Sequence, residues 1–536
     1  MRNYKVCITA AGLGSRISSI SNINKALLPI NQGSIISKII DKFPKNVEFV
    51  IAVGYQKEKI VNFLNIAHKN RKIKIVEVKN YQGKGSGPGF TMLQCEKYLK
   101  SPFIFIACDT LVEGKIPPPN KNWIGISTIS DPEPYLVIEK DKSEKVTRFF
   151  DKKSSNFLYW NGYKNYDCNC FIGLAGVYNT KIFWNSLKKN KELNSGEYQV
   201  SNGLEGLKNK NLKCIDFKWF DTGNEFNYVK ALNFYGNNKV LPKPDEYFYL
   251  QKNIVIKYFQ DKSKAIDRIQ KSKFLKNYIP KMIKSDGNFL AYHYEKGDLL
   301  SEIKDKKIFL SFLNFVNKNF WLKCNKSQKK IVDNACKNFY KEKTYSRLSM
   351  YFKRASFQDR SQIINKIKVP KISDILQKIK WDNIFDSFPI LFHGDLQPEN
   401  IIYNFKKKFI LLDWRENFGA SKIYGDIYYD FAKLHHALEI TGKVIRANKY
   451  DVKINEKDVD YSFDIRPHLI RNLKIFENFI HDKGFDVIKV RILSALVLLN
   501  IAPLHHYPYS ELLFHHGKLK LFQVLNNNDN FVKNRI

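Results

Sequence analysis

The sequence predicts an α/β domain, built on a sheet with helices on both faces, followed by a second domain with a small β lobe and a larger helical lobe. Two observations support this fold class. Short apolar strands alternate with helical segments at the start of the chain, which is typical of parallel strands joined by helical crossovers. The chain also has 536 residues, more than one hydrophobic core usually organises, so we expect two domains.

The elements of the first domain follow from its apolar pattern. Short, mostly apolar runs predict strands, and apolar residues spaced three or four apart predict amphipathic helices. The predicted strands are 6–10, 49–53, 74–78 and 103–107. The predicted helices are 35–43, 57–67 and a helix that closes at 96–99. Because the two kinds of element alternate, we expect a parallel sheet covered by helices.

A polar segment with prolines, 237–245, is typical of a linker. We therefore place the first domain at 1–236 and the second at 246–536. The second domain is predicted to contain strands at 247–250 and 254–259, a long helical stretch at 301–380, short strands at 389–392 and 409–412, and a largely helical remainder. This pattern indicates a small β lobe followed by a mostly α lobe.

The chain is strongly basic, with 89 Lys and Arg against 52 Asp and Glu and a net charge of +37. A protein with such a charge can bind nucleic acid or an anionic membrane. The lysines are spread along the whole chain, so we expect no nucleic-acid partner and keep a nucleic-acid-binding or assembly protein as an alternative. We recognise no transmembrane segment, signal peptide or disulfide framework. These features predict a cytoplasmic protein.

A glycine-rich turn, Ala10-Ala-Gly-Leu-Gly-Ser-Arg16, follows the first predicted strand, and Lys25 lies shortly after it. Glycines let backbone N–H groups approach phosphate oxygens without a Cβ in the way. Arg16 and Lys25 would add positive charge where a triphosphate is held, so we take both as candidate catalytic residues. The candidate nucleotide-binding residues of the turn are Ala11, Gly12, Gly14 and Ser15.

The turn and the following Asn24-Lys-Ala-Leu-Leu-Pro29 resemble the signature of sugar-phosphate nucleotidyltransferases, a GxGxR turn followed by PKxLLP. Asn24 stands where the family has proline. The resemblance spans roughly residues 4 to 235. It implies a Rossmann-like, GT-A-like mixed sheet with helices on both faces, and transfer of a nucleoside monophosphate to a phosphate ester.

Later segments fall in the order that this family has. Gly85, Ser86 and Gly87 resemble its second nucleotide-binding loop. Asp109 ends an apolar strand, where an open α/β sheet places its ligands, and Asp221 lies in a segment similar to the family's WxDxG. The resemblance implies that these two carboxylates hold Mg²⁺ while pyrophosphate leaves.

Three further residues resemble positions on the acceptor side of the family's site. Glu139 and Lys152 lie in charged segments, and Glu197 lies in Gly196-Glu-Tyr-Gln199, where sugar enzymes of the family often contact the sugar. The resemblance implies a substrate-binding role for all three. A solvated charged turn is the alternative for the first two.

The second domain contains Leu391-Phe-His-Gly-Asp-Leu-Gln-Pro-Glu-Asn400, the most specific stretch in the chain. Asp395, Asn400 five residues later and Asp413 at the end of a nearby strand form the arrangement used by kinases. The first Asp acts on the acceptor hydroxyl, and the Asn and second Asp hold Mg²⁺ on the ATP phosphates. Asp395 is therefore a candidate catalytic residue, and the other two are candidate metal ligands.

The motif HGDxxxxN, followed by DW, resembles that of the aminoglycoside phosphotransferase and choline kinase family. The resemblance covers roughly residues 246 to 520. The resemblance implies a bilobal, protein-kinase-like α+β domain. It assigns Lys257 to the α- and β-phosphates of ATP, and Asp426 and Asp430 to structural support of the catalytic loop.

Two features of the family are missing from the second domain. No glycine lies between Gly236 and Gly287, so the loop over the phosphates is not glycine-rich. No glutamate lies between Lys257 and Glu295 to pair with the lysine, and Asp267 is a candidate substitute. A chain in which only the nucleotidyltransferase is active and the kinase-like domain is regulatory is therefore an alternative.

Together the two domains predict a bifunctional enzyme. A kinase would phosphorylate a small hydroxyl metabolite, a sugar or an amino alcohol, with ATP. A nucleotidyltransferase would then couple that phosphate to a nucleoside monophosphate from a second NTP (CTP, UTP or GTP), giving an activated building block for a surface polysaccharide. We expect Mg²⁺ as the cofactor and small molecules as partners; the oligomeric state stays open.

Overall fold

The computed structural model describes residues 4–17, 22–130, 132–150, 167–194, 196–236, 245–324, 326–355, 358–455 and 457–526. The chain divides into two compact units. The first comprises Met1–Ala265 and Ile283–His293, and the second comprises Ile266–Met282 and Tyr294–Ile536. This division by packing differs from the predicted limits at 236 and 246, because strands beyond the predicted linker pack within the first unit. The predicted domain limits stay a prediction.

The first unit is α/β. Its helices are Ile35–Asp41, Lys57–Ala67, Pro88–Cys95, Thr180–Lys189, Ser201–Glu205 and Glu225–Tyr235. Its strands are Lys5–Ala10, Pro29–Ile30, Gly33–Ser34, Glu48–Val53, Lys72–Glu77, Phe103–Ala107, Thr110–Val112, Trp123–Ile129, Val137–Lys140, Val146–Phe150, Cys168–Val177, Leu193–Asn194, Glu197–Tyr198, Lys213–Asp216, Trp219–Asp221, Glu246–Gln251, Ile254–Phe259, Met282–Asp286 and Phe289–His293. The strands and helices predicted before residue 110 are confirmed, with small shifts at their ends.

The main sheet of this unit is mixed. The first strand, Lys5–Ala10, is parallel to both of its neighbours, Glu48–Val53 and Phe103–Ala107. The long strand Cys168–Val177 then pairs antiparallel to Phe103–Ala107. The carboxyl ends of the parallel strands meet at one edge of the sheet, where ligands bind in open α/β folds.

The sheet has a hydrophobic core on each face. Val6 and Ile8 point into one core and Cys7 points into the other, because successive side chains of a strand alternate between faces. Strands buried on both faces read as continuous apolar runs, which is why the sequence identified them. The prediction of a mixed α/β sheet with helices on both faces is confirmed for this unit.

A smaller antiparallel sheet also belongs to the first unit. Its strands Glu246–Gln251, Ile254–Phe259 and Phe289–His293 are neighbours. This sheet packs on the helix Lys57–Ala67, where the rings of Phe63 and Tyr249 have centroids 5.0 Å apart. Its aromatic residues thereby join the core of the main sheet.

The second unit is mostly helical. Its helices are Lys262–Leu275 (which begins in the first unit), Lys306–Asn319, Lys329–Cys336, Lys343–Ala355, Ile372–Gln377, Trp381–Phe385, Ile427–Glu439, Gly442–Arg446, Pro467–Asp482, Val487–Ile501 and Tyr509–Leu525. Its strands are Gly297–Leu299, Gln362–Ile364, Ile367–Val369, Pro389–Leu391, Ile401–Asn404, Phe409–Leu411, Tyr424–Asp426, Tyr450–Asn455 and Asp458–Phe463.

Two hairpins in the second unit correct the sequence prediction. The stretch 301–380 is not continuously helical, because Gln362–Ile364 and Ile367–Val369 form a hairpin. Asn365 and Lys366 turn it with φ of +46° and +68°, as a tight two-residue turn requires. This hairpin joins a second one, Tyr450–Asn455 with Asp458–Phe463, in a four-stranded sheet. The remainder after 412 is largely helical, as predicted, except at that second hairpin and at the short strand Tyr424–Asp426.

One helical stretch among the described residues, Val487–Leu504, has the length and hydropathy of a membrane span. Two thirds of this stretch is buried in the protein. That burial is typical of the core helix of a globular domain.

Candidate active sites

The glycine-rich turn leaves the first strand at its carboxyl end. Gly14 has φ +67°, a left-handed conformation that favours glycine, and a Cβ there would lie 3.6 Å from Lys25 Cδ. Ala11 is buried, and its carbonyl accepts a backbone hydrogen bond at 2.9 Å. Gly12 and Ser15 are exposed. The turn therefore has a packed side, formed by Ala11 and Gly14, and an open side, formed by Gly12 and Ser15.

Lys25 is presented by a short 3₁₀ turn that Asn24 caps. The buried side chain of Asn24 accepts a hydrogen bond from Ala26 N at 3.0 Å and donates one to Tyr55 O at 3.0 Å. The asparagine that stands in place of the family's proline thus anchors the turn through its own side chain. Lys25 Nζ then reaches Asp109 Oδ2 at 2.6 Å.

The Lys25–Asp109 pair is charged at neutral pH. Both side chains are only 17% exposed. Burial acts to lower the pKa of Lys25, but the charge of Asp109, the neighbouring Cys108 and the hydrogen bond to Asp109 together outweigh burial and raise that pKa above the ordinary value. Burial likewise acts to raise the pKa of Asp109, and the charge and hydrogen bond of Lys25 hold it below the ordinary value. Each group keeps the other ionised in a largely desolvated site.

Strand pairing brings Asp221 to Asp109. The strand Trp219–Asp221 pairs antiparallel with Thr110–Val112, and Asp221 lies opposite the residue that follows Asp109. Thr222 reinforces the junction, since its N–H and its hydroxyl donate to the Asp109 carbonyl at 2.9 and 3.0 Å.

The two carboxylates and Arg16 approach one point. A Cβ placed on Gly223 would lie 2.9 Å from Asp221 Oδ1, 3.1 Å from Asp109 Oδ2 and 3.7 Å from an Arg16 guanidinium nitrogen. Only glycine leaves this space open. Mg²⁺ prefers oxygen ligands and commonly takes one or two carboxylates together with phosphate oxygens. Asp109 and Asp221 fit that requirement as two convergent oxygen donors.

These groups open onto a cavity of about 170 Å³. Arg16, Asp109 and Asp221 line it together. Its remaining walls are Pro88, Phe105, Ala107, Thr110, Pro134, Tyr135, Leu136, Phe171, Ile172, Gly173, Gln199, Val200, Ser201 and Trp219. A lining that combines charged and apolar groups suits a ligand with a phosphate and a less polar body.

The second loop packs closely against the segment that carries Glu197. Gly85 and Gly87 have φ of +84° and +117°. The Ser86 carbonyl accepts a hydrogen bond from Tyr198 N, and a Cβ on Gly87 would lie only 2.8 Å from the Tyr198 carbonyl. Glu197 lies beside this loop, with its Cβ 3.0 Å from that position. The predicted loop and the predicted sugar contact are therefore neighbours.

The other predicted acceptor residues lie elsewhere. Glu139 is exposed on the strand Val137–Lys140 and is not among the described residues that line the cavity. Lys152 lies outside the described residues. Substrate-binding roles for both stay predictions.

Two residues that the sequence did not indicate hold Asp221. The Tyr135 hydroxyl donates to Asp221 Oδ2 at 2.9 Å, and Asn227 Nδ2 lies 3.3 Å from the same oxygen. Burial, followed by the Asp221 charge, raises the pKa of Tyr135 well above its ordinary value, so the phenol stays a donor. Neither residue lies in a recognisable motif. The nearest signal is the spacing of Asn227 behind Asn224, which caps the helix Glu225–Tyr235.

The second site is built on the loop after the strand Pro389–Leu391. The buried Asp430 carboxylate accepts hydrogen bonds from His393 N at 2.9 Å and Gly394 N at 2.7 Å. Burial raises the pKa of Asp430 to about 6. Asp426 accepts from Phe388 N at 2.9 Å, just before the strand. The two aspartates support the loop backbone, as expected.

Asp395 is held through both oxygens of its carboxylate. Oδ1 accepts from Lys433 Nζ at 2.8 Å and from Gln397 Nε2 at 2.8 Å. Oδ2 accepts from Asn400 Nδ2 at 3.1 Å. Burial acts to raise the pKa of Asp395, but Lys433 holds it well below the ordinary value. Asp395 is therefore ionised at neutral pH.

Asn400 and Asp413 lie at the same end of a hairpin. The strands Ile401–Asn404 and Phe409–Leu411 pair antiparallel, and Leu412 N donates to the Asn400 carbonyl at 2.7 Å. This pairing brings Asp413 next to the loop that carries Asn400. Arg268 contacts Asp413 Oδ1 at 3.5 Å and Glu416 at 3.3 Å. An amide oxygen and a carboxylate oxygen at one hairpin end are suitable Mg²⁺ ligands.

Lys257 lies in the middle of the strand Ile254–Phe259, in the first unit. Its assignment to the ATP phosphates stays a prediction. Asp267, the candidate partner for this lysine, forms an ion pair with Lys422 at 2.9 Å.

No model of a known protein family matches this sequence. Two proteins described as "Bifunctional protein GlmU" are similar to it. The one from Methanococcus vannielii is 28% identical over 244 residues, which are 44% of this chain and 56% of that protein. The one from Methanococcus aeolicus is 28% identical over 262 residues, which are 46% of this chain and 58% of that protein. The similarity thus spans little more than half the length of either relative.

Solved structures of two proteins align with a similar share of the chain. Apo UDP-glucose pyrophosphorylase shows 19% identity and a TM-score of 0.34, over 43% of this chain and 98% of its own. The inositol-1-phosphate CTP transferase from T. maritima shows 13% identity and a TM-score of 0.33, over 44% of this chain and 96% of its own. These TM-scores are below 0.5, and no argument rests on them. The N-terminal part of the chain is similar to sugar-phosphate nucleotidyltransferases.

Proposed function

We propose that this protein is a bifunctional enzyme. Its second site transfers the γ-phosphoryl group of ATP to a small hydroxyl metabolite, a sugar or an amino alcohol. Its first site joins the resulting phosphate to a nucleoside monophosphate from an NTP. The product is a nucleoside-diphosphate-activated building block, used for surface polysaccharide, and pyrophosphate is released.

The convergence of Arg16, Asp109 and Asp221 on one point carries the nucleotidyltransferase part of the proposal. In this reaction an oxygen of the sugar phosphate attacks the α-phosphorus of the NTP. A P–O–P bond forms while the bond to the β-phosphate breaks. Mg²⁺, held by Asp109 and Asp221, would neutralise the phosphate charge. Arg16 and Lys25 supply cations to the triphosphate and to the departing pyrophosphate.

In this scheme Lys25 has two successive partners, Asp109 in the free protein and a phosphate oxygen of the bound nucleotide. In the free protein its ammonium group neutralises Asp109 at 2.6 Å. If Asp109 held Mg²⁺, the ammonium group of Lys25 would be available to a phosphate oxygen instead. The ion pair thereby keeps both groups charged in the free protein.

The hydrogen bonds around Asp395 support the kinase part of the proposal. Asn400 binds one oxygen of the carboxylate, and Lys433 binds the other. Asp395 orients the acceptor hydroxyl toward the γ-phosphorus, and Asn400 with Asp413 would hold Mg²⁺ on the nucleotide.

A second candidate function is a chain in which the kinase-like unit is regulatory. Arg268 approaches Asp413 at 3.5 Å and so occupies a carboxylate that a kinase needs for metal. The absence of a glycine-rich loop in the sequence favours the same alternative. Under it, Asp395→Asn leaves all turnover unchanged.

A panel of sugar phosphates and amino-alcohol phosphates, each paired with an NTP, tests the first activity. The full chain with Mg²⁺ is incubated with each pair, and pyrophosphate and the nucleotide product are measured. We expect one pair to react and Asp109→Asn to abolish the reaction. The matched control is Asp216→Asn, since Asp216 is largely exposed at the end of another strand of the same unit. Equal loss in both variants, or no reaction with any pair, contradicts the proposal.

A further inference from the structure

We infer that the acceptor of the second site is an anion: a hydroxyl compound that already carries a phosphate or carboxylate group. This inference rests on the proposed kinase function. It narrows the class of acceptor, because it excludes neutral sugars and also excludes amino alcohols such as choline. It comes from a cavity beside Asp395, lined by cations.

The cavity has a volume of about 130 Å³. Three helices of the second unit, Lys343–Ala355, Ile427–Glu439 and Val487–Ile501, contribute most of its walls. Its uncharged walls are Phe339, Tyr340, Tyr429, Leu493, Leu496, Val497, Asn500, Ile501 and Leu504. A cavity of this size holds a small metabolite or its charged end.

Four cations line this cavity: Lys343, Arg347, Arg415 and Lys433. None of the described residues that line it is acidic. Lys433 is neutralised by Asp395 at 2.8 Å. For the other three, no described carboxylate lies within 4.0 Å. The cavity therefore holds more positive charge than the protein compensates.

A second acid, Glu416, does not remove this excess. Glu416 acts on Lys343 from a distance, but its carboxylate is paired with Arg268 at 3.3 Å. Arg415 lies over the Phe339 ring, 5.0 Å from its centroid, and its Nε is buried without a hydrogen-bond partner among the described residues. Burial and then the neighbouring cations Arg415, Arg347 and Lys433 lower the pKa of Lys343 to about 7. A bound anion would stabilise both the buried guanidinium of Arg415 and the charged form of Lys343.

The carboxylate of Asp395 separates this cavity from the metal side of the site. Oδ2 faces Asn400, the candidate metal ligand, and Oδ1 faces Lys433, which lines the cavity. ATP and its metal belong on the Asn400 side. The cavity therefore lies on the side from which an acceptor hydroxyl reaches Asp395.

The reaction balances without any further reactant. The acceptor oxygen bonds to the γ-phosphorus of ATP, and the bond between that phosphorus and the β–γ bridging oxygen breaks. ADP leaves, and the hydroxyl proton passes to Asp395 and then to solvent. The anionic group of the acceptor stays bound to Arg347, Lys343 and Arg415 throughout and takes no part in bond formation.

Fractionated metabolites test the inference on the full chain. A cell extract is separated into cationic, neutral and anionic fractions, and each is incubated with Mg²⁺ and ATP carrying ¹⁸O in its γ-phosphate. Mass spectrometry then identifies esters that contain the label and depend on Asp395. Labelled ester from the anionic fraction alone supports the inference. Labelled ester from the cationic or neutral fraction overturns it and leaves the proposed kinase standing. No ester from any fraction overturns both.

Variants on one helix separate acceptor binding from nucleotide binding. For the acceptor identified in this way, Arg347→Gln should raise the acceptor KM roughly 10- to 100-fold, as loss of a charge-assisted hydrogen bond does, and leave the KM for ATP unchanged. Arg347→Lys keeps the charge and should restore most of the affinity. Lys353→Gln, an exposed position on the same helix, is the matched control. A rise in the KM for ATP instead, or no change in either KM, overturns the inference.

Discussion

Replacing Lys25 by methionine should destabilise the first unit through Asp109. The substitution keeps the length and apolar stem of the side chain but removes the ammonium group 2.6 Å from Asp109 Oδ2. Because both side chains are 17% exposed, the remaining carboxylate keeps little water to replace its partner. A charge-assisted hydrogen bond of this kind contributes about 2–3 kcal/mol. For a unit of this size that corresponds to a fall in Tm of roughly 4–10 °C.

The pair Lys5–Glu48 in the same sheet is the matched control. Its atoms are 2.9 Å apart, but its side chains are 28% and 39% exposed. Lys5→Met should therefore cost less than about 1 kcal/mol, as exposed ion pairs do. Calorimetric melting of the full chain at pH 7 compares the two variants.

The Tm difference between wild type and Lys25→Met should depend on pH, because Lys25 shifts the pKa of Asp109. Lys25 holds the pKa of Asp109 below its unfolded value, so the pair contributes stability above that value and loses it as pH falls through the folded pKa. The Tm difference between wild type and Lys25→Met should therefore shrink in acid, and it should largely vanish in an Asp109→Asn background. Equal Tm shifts for Lys25→Met and Lys5→Met, or an undiminished shift in that background, would refute the reasoning.

Three other predictions concern the two sites. Tyr135→Phe removes the hydroxyl that binds Asp221, so the Mg²⁺ concentration for half-maximal pyrophosphate release should rise about tenfold, whereas Tyr98→Phe should not change it. Gly87→Ala places a Cβ 2.8 Å from the Tyr198 carbonyl at φ +117°, and should cost about 1–3 kcal/mol in melting experiments together with most nucleotidyltransferase activity. Because Lys343 must be protonated to bind an anion and its pKa is about 7, kcat/KM for the anionic acceptor should fall as pH rises above 7, and Lys343→Arg should abolish that fall.

The sequence predicted those parts of the first unit in which a functional residue lies close to a strand that its own apolar pattern reveals. Apolar runs identified the buried strands, and Asp109 was visible because it lies two residues beyond the end of one of them. Its meeting with Asp221 depends on the pairing of Trp219–Asp221 with Thr110–Val112, which only the order of family motifs suggested.

The other features of the two sites depend on contacts between residues far apart in the sequence, and the sequence did not predict them. Tyr135 is a single tyrosine in an irregular segment, and nothing in its neighbourhood indicates that it binds Asp221, 86 residues later. The cations of the second cavity are likewise dispersed in sequence, and in a chain with 89 Lys and Arg no composition argument distinguishes Arg347 from an ordinary surface residue.

The hairpin at Gln362–Ile364 and Ile367–Val369 was missed for a local reason. Its strands are only three residues long and lie between helices, so the helical periodicity around them dominated the prediction. The β-branched residues on both sides of Asn365 and Lys366 were the available signal.

The proposed function places two successive transferases in one chain. Its most direct test incubates the full chain with Mg²⁺, ATP, the other NTPs and a broad pool of sugars, sugar acids, sugar phosphates and amino alcohols, followed by mass spectrometry. A new phosphate ester and its nucleoside-diphosphate partner should form. Both should disappear with Asp395→Asn, and only the second should disappear with Asp109→Asn. If Asp395→Asn changes neither product, or if no new species forms while the protein binds RNA, the proposed function is wrong.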